Sequence, residues 1–227
     1  MSHSITSLLC VATLAILCSS GIVRAASVRF VPLNDEVAGL KIAVKDAKKA
    51  TILKDLNPLK RSTAYPCTIG ESSLQLVALD RKAPDGKPES VGIALTPDIQ
   101  SPLVLILPDP QHPSGLRAIA IDDSTAAFSW GSIRFLNTTG NPLTIRFGAD
   151  LKPLPEGDKV VDIKPDGPAR RIGVQVSLEE KPDEILYSAV WEHDPQVRKL
   201  IFVLSGTNPQ TKAVELKVIP EDQRIKE

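Results

Sequence analysis

The chain has 227 residues, and its 27 Lys plus Arg balance its 27 Asp plus Glu, so the formal charge is zero. No net field steers it toward nucleic acid or an anionic membrane, and no basic stretch is interleaved with aromatics, so nucleic acid is not an expected partner. At 42% hydrophobic it is a folding chain, and 19 prolines beside 4% aromatics favour short strands ended by turns over long helices.

The chain opens with the apolar run "ITSLLCVATLAILCSSGIV", followed by "VRAAS", where Val23 and Ala25 fit the small-residue pattern of a signal-peptidase site. Residues 1–25 are therefore expected to be a signal peptide cleaved after Ala25, and the protein to be exported, periplasmic or extracellular. "MSHS" carries no Lys or Arg ahead of the apolar core, and about 20 apolar residues span a bilayer, so a retained membrane anchor is the alternative. Leu17 is too bulky for the position before a lipoprotein cysteine at Cys18. No later apolar run is long enough to cross a membrane, so no stable insertion is expected after cleavage. Cys10 and Cys18 leave with the leader, and Cys67 remains alone without an internal disulfide. In the strand-like setting "STAYPCTIG" a lone cysteine is expected to be buried.

The folded part starts with "SVRFVPLNDEVAGLKIAV" at 27–44, and a similar piece, "SIRFLNTTGNPLTIRF", recurs at 132–147. Val28, Arg29 and Phe30 match Ile133, Arg134 and Phe135. After a polar turn, Leu40, Ile42 and Val44 alternate in the first copy, as Leu143, Ile145 and Phe147 do in the second. Period-2 alternation on both sides of a turn predicts a half-buried antiparallel hairpin in each copy. "KDAKKA" reads as a hairpin tip. "SLQLVALD" and "SVGIAL" are further strands of the first copy, and "SPLVLILPDP" at 101–110 closes it with a run suited to a central strand buried on both faces. "PDPQHPSG", with three prolines, excludes a central strand and marks the seam. "LRAIAIDDSTAAF" then leads into the second copy. There "RIGVQVSL" alternates at Ile172, Val174, Val176 and Leu178, "EILYSAVW" follows, and "VRKLIFVLSGTNP" is the matching apolar close. "AVELKVI" is a last strand ahead of a frayed charged tail.

The expected organisation is all-β: two tandem immunoglobulin-like antiparallel β-sandwich modules after the signal peptide. Module 1 covers 26–110, a linker 111–117, module 2 118–220 and the tail 221–227. One larger sandwich or barrel, or a mixed fold, is the alternative. "SVRFVPLND…GLKIAV" and "WGSIRFLNTTGNPLTIRFG…LPEG" resemble immunoglobulin-like modules of bacterial cell-envelope proteins, across most of 27–207. The resemblance implies an exported β-sandwich and supplies no catalytic residues. The two-module plan is also similar to that of periplasmic pilus-assembly chaperones, whose basic cleft and strand signatures are not recognisable here, so that likeness stops at architecture.

Candidate chemistry is sparse. Glu192, His193 and Asp194 in "WEHDP" are adjacent, but a continued strand puts His193 on the opposite face from the two carboxylates, against a metal site. Asp122, Asp123 and Ser124 are sequence neighbours rather than groups held across a cleft, and too few for a calcium loop. No Ser sits in a G-x-S-x-G elbow, and His112 and His193 are the imidazoles of the mature chain. Neither a P-loop nor a G-x-G-x-x-G turn occurs. No catalytic, cofactor-binding or metal-ligating residue is therefore assigned, and no enzyme is expected. Trp130, Trp191, Tyr65 and Tyr187 are the candidate stacking faces for a sugar or peptide. Arg29 and Arg134, equivalent in the repeats, point away from their own cores and are expected to pair with acidic neighbours inside each module, contact with a partner's carboxylates being the alternative. "NTT" at 137–139 fits a glycosylation acceptor or simple turn chemistry.

The expected function is non-enzymatic: a structural, adaptor or assembly component of the cell envelope, recognising another envelope protein through sheet faces or strand edges. A carbohydrate- or small-ligand-binding module is the alternative. A hydrolase would require His193, Asp194 or Cys67 to converge in a pocket.

Overall fold

The computed structural model describes residues 24–69, 74–206 and 213–225, so the expected signal segment lies almost entirely outside the described residues. In chain order the first eight strands are β1 (Arg24–Pro32), β2 (Ile42–Lys45), β3 (Ala50–Ile52), β4 (Tyr65–Ile69), β5 (Gln75–Lys82), β6 (Pro88–Gly92), β7 (Pro102–Pro108) and β8 (Leu116–Asp122). One helical turn, α1 (Asp35–Ala38), lies between β1 and β2. The second eight are β9 (Ile133–Asn137), β10 (Leu143–Phe147), β11 (Asp150–Leu154), β12 (Val160–Ile163), β13 (Arg170–Leu178), β14 (Lys181–His193), β15 (Val197–Ser205) and β16 (Val214–Asp222).

The two sets have the same topology, strand for strand. The first forms sheets β4-β1-β7-β8 and β3-β2-β5-β6; the second forms β12-β9-β15-β16 and β11-β10-β13-β14. The chain is thus two tandem β-sandwiches. The repeat read from the residues is also structural, since Arg29 stands beside Leu103 where Arg134 stands beside Leu200. The pairings of these strands are antiparallel except for the parallel β1–β7 and β9–β15 contacts.

The expected hairpins do not form. β1 and β2 lie in opposite sheets of their sandwich, as do β9 and β10. Alternation reports which face is buried, not which strand lies alongside. Phe30 and Ile42 reach one core from its two sides, as Phe135 and Ile145 do in the second repeat. The turn between β1 and β2 contains α1, begun by Asn34, whose side chain accepts from the Val37 amide at 2.9 Å and which sets Val37 into the core.

The seam also falls elsewhere. β8 pairs along its whole length with β7, so "PDPQHPSG" is the tip of a hairpin inside the first sandwich. Asp109 N bonds Gly115 O at 2.9 Å and Gly115 N bonds His112 O at 2.7 Å, with Gly115 at φ 69°. The prolines exclude a central strand, as read, but suit a hairpin tip equally well. "LRAIAID" belongs to module 1, and the connection between the sandwiches is the segment 123–132. Nor do Glu221 and Asp222 belong to a frayed tail, because they end β16 opposite Arg198 and Val197.

The two sandwiches are in apolar contact. In β7, Val104 and Ile106 face the first core, while Leu103, Leu105 and Leu107 join Val31, Ile119 and Ile121 in a second apolar face. In the other repeat Ile201 and Val203 face inward, while Leu200, Phe202, Leu136 and Ile219 make the matching outer face. These two faces pack on each other around Phe128, giving four stacked sheets and a third apolar layer between the modules. Interfaces between domains of one chain are commonly modest; here the junction is a continuous layer of buried apolar side chains. The runs "PLVLILP" and "RKLIFVL" are buried on both faces for this reason.

Candidate functional site

The densest polar cluster lies at the edge of the junction. Asp123, 2% exposed, follows β8 and receives Arg29 at 3.0 Å, Arg61 at 2.8 and 2.9 Å, and Arg198 at 3.4 Å. Glu221 on β16 receives Arg198 at 2.9 and 2.6 Å and stands 3.3 Å from Arg61 and 4.0 Å from Arg29. Arg61 comes from the loop before β4, held in place because Ser62 N bonds Phe30 O and Phe30 N bonds the Ser62 hydroxyl, both at 2.9 Å. Arg198 also donates to the carbonyls of Asp123 and Phe128. Such a set is a clamp: its two carboxylates are held by guanidinium groups from both sandwiches.

The two equivalent arginines both point into the junction. Arg134 pairs with Asp162 of its own module at 2.7 Å through both Nε and Nη2, as expected, and donates to the carbonyls of Asp122 and Ala127. Arg29 differs: its partners are Asp123 and, across the modules, Glu221. Phe128 lies under Arg134 and Arg198, 4.5 and 5.1 Å from its ring centre, and Trp130 is 5.0 Å from Arg198. Gly131, at φ 77°, runs so close to Pro195 that an added Cβ would sit 3.1 Å from its Cα. Lys217 crosses the junction to the carbonyls of Pro32 and Leu33, and burial lowers its pKa to about 8 against the opposing pull of Asp35.

The remaining candidates are dispersed. Trp191 packs among Phe135, Phe147 and Tyr187 and donates its indole N–H to the Tyr187 hydroxyl at 3.0 Å. Tyr65 meets Phe30 edge-on, and its hydroxyl accepts from the Lys54 amide at 2.8 Å. The four aromatics therefore form no shared exposed platform. His193 is 2% exposed, and its Nε2 has no hydrogen-bond partner among the described residues. Burial lowers its pKa, Arg170 and Lys199 add to the effect, and Asp194 opposes it. Glu192 lies on the exposed side, and Asp194 pairs with Arg224 at 3.0 Å, so the "WEHDP" groups diverge. His112 bonds Ser114 within the β7–β8 tip at 2.7 Å. Cys67 is buried, and burial pushes its thiol up to about 11, with Asp46 adding to the shift. Among the described residues no group of three or more His, Cys, Asp or Glu could hold a metal ion. Asn137, the sequon residue, is fully buried and donates its amide to Asn141 O and Leu154 O at 2.7 and 2.9 Å. Turn chemistry accounts for it, and a glycan has no access in the folded state.

One cavity of about 480 Å³ opens at the end of the second sandwich, floored by Leu143, Leu178, Leu186 and Val214 and rimmed by Glu180 and Lys181. In the first sandwich the corresponding turn carries α1, whose Val37 is buried in the core. Sequence reasoning missed the clamp. Arg61, Arg198 and Glu221 are far apart in the chain, and only the placement of β8 and β16 at the junction unites them.

No family model matches the chain, and no curated protein matches it. Among solved structures, one of Extended-Synaptotagmin 2 that comprises its SMP domain and two C2 domains is 14% identical, covering 88% of this chain and 57% of that one, with a TM-score of 0.23. The chain thus spans little more than half of that structure, and at this TM-score the likeness carries no functional argument.

Proposed function

We propose that the protein is an exported, non-enzymatic component of the cell envelope, acting as a structural, adaptor or assembly element through contacts with another envelope protein. The observation that carries this reading is the use made of the reactive side chains. Asp123 is closed within the clamp, Cys67 is held as a buried protonated thiol, and His193 is buried elsewhere, so no two converge on a cleft. A packed pair of sandwiches with open sheet edges is suited to presenting binding surfaces. The leader read at 1–25 supports export. β1 pairs with β4 from Arg24, and a chain beginning at Ala26 keeps the pairs Ala26–Cys67, Ser27–Pro66 and Val28–Tyr65.

Crosslinking of tagged full-length protein in its native cells, with capture from the envelope fraction and intact-mass analysis, tests this. One defined protein partner and a mature chain starting at Ala26 are expected. Mature monomer alone would overturn the adaptor role, and a retained leader would make the protein membrane-tethered.

A second reading, a small-ligand-binding module, rests on the cavity in the second sandwich. Its apolar floor and charged rim suit an amphipathic molecule, but none of its lining residues is an aromatic that could stack on a sugar ring. A ligand screen by thermal shift, repeated with Leu186→Trp to fill the space, decides it.

A further inference from the structure

Edge strands expose unpaired backbone donors and acceptors, and proteins guard them with short length, proline, charge or bulges. Most edges here are guarded. β3 has three residues and β12 four, one of them Asp162; β4 contains Pro66 and β6 begins at Pro88–Glu89. β11 contains Lys152 and Pro153, β16 contains Pro220, and β8 carries Arg117 and Asp122 beside the module junction. β14 is different. It is the longest of the described strands, 13 residues, and ends its sheet. Its pairing with β13 is irregular near Ile185, but Tyr187 to His193 pair in continuous register with Val176 to Arg170. Tyr187, Ser188, Ala189, Val190 and Trp191 carry no charge and no proline, and Val190 is 68% exposed.

We infer that the free edge of β14, over Tyr187–Trp191, receives an extended segment of a partner protein whose uncharged centre is flanked by basic residues. The flanks decide the occupant. Asp183 and Glu184 lie before this stretch and Glu192 after it; Glu192 stands opposite Arg171 and near Lys199, whereas Asp183 and Glu184 form no salt bridge among the described residues. A second copy of β14 is a poor occupant. Antiparallel self-pairing centred on Ser188 sets Glu184 against Glu192, and centring on Ala189 sets Glu184 against Asp194; like charges directly opposite destabilise a strand pair. An added strand with Lys or Arg at its ends meets carboxylates at both ends and apolar neighbours between.

The inference deepens the adaptor reading and is tested apart from it. The probe is a nonapeptide library with two lysines at each end and five randomised uncharged residues, selected on the full-length protein; a matched library carries glutamates at the ends. Binders from the lysine library are expected, with slowed amide exchange confined to 187–191. The E184K/E192K variant, with its unfolding midpoint unchanged, should bind them roughly three- to tenfold more weakly and should take up glutamate-flanked peptides. Equal recovery from both libraries, recovery from neither, or protection elsewhere overturns the inference. So does a concentration-dependent dimer of the free protein that itself protects 187–191. In cell capture, a partner recovered equally by the native protein and E184K/E192K leaves the adaptor role standing and removes the edge from it. No partner with either, alongside peptide binding at β14, removes the role and leaves the edge.

Discussion

Asp123 and Glu221 occupy the same place in the two repeats, just past the last junction-facing isoleucines, Ile121 and Ile219, and they meet around shared arginines. Arg198 from the second sandwich lies 2.6 Å from Glu221 and 3.4 Å from Asp123; Arg61 from the first lies 3.3 and 2.8 Å from them. Two equivalent carboxylates thus share guanidinium groups drawn from both halves. The repeat explains why two carboxylates converge, and their repulsion explains why a guanidinium from each half is buried between them.

Removing one partner of a buried ion pair exposes the cost of desolvating the other. Asp123→Ala should therefore lose about 3–5 kcal/mol of stability, read as a lower urea midpoint. Glu221→Ala, at the more open end of the clamp, should cost less. Equal, small losses would mean that the arginines find water when either acid is removed.

The apolar layer makes a separate prediction. Phe202 faces the junction and not its own sandwich core. Its replacement by Ala should cost about 3–5 kcal/mol. The native protein should unfold in one transition, because neither half can expose this face alone. F202A should separate the unfolding of the two halves in calorimetry. A single, equally cooperative transition in F202A would show that the clamp alone couples them.

Much of this fold was legible in the residues and part of it was not, for a physical reason. Alternation at Leu143–Phe147 and at Ile172–Leu178 reports burial of one face, and every one of those apolar residues is where it was expected. The run at 103–107 signals burial of both faces, yet nothing local says that the second cover is the other repeat. Proline at 108, 110 and 113 marks an interruption without distinguishing a linker from a hairpin tip. The true connection carries Phe128 and Trp130, which disguise it as a lead-in to the next strand. The clamp was least legible, since its charges converge only once the strands of both sandwiches are placed.

Asn137 offers a test of the turn reading of "NTT". Its amide satisfies two carbonyls inside the second sandwich, and its Oδ1 accepts from the Thr139 amide at 3.0 Å. Asn137→Ala leaves buried carbonyls unpaired and should cost about 1–3 kcal/mol. Thr139→Val, which also destroys the sequon, should cost less. Equal tolerance of both would mean that water replaces the amide.

His193 supplies the pH dependence. Burial, with Arg170 and Lys199 nearby, depresses its folded pKa below 6.5, while Asp194 opposes this and is itself partly engaged by Arg224. In the window below 6.5 the unfolded chain binds the proton more readily than the folded one. Unfolding free energy therefore rises with pH across that window and falls on acidification through it. Urea unfolding between pH 7.5 and 5.5 should show this slope, above the range in which ordinary carboxylates titrate. His193→Gln should flatten the slope, whatever its effect on absolute stability. An unchanged slope in that variant would assign the dependence to other groups and imply that the folded imidazole reaches water.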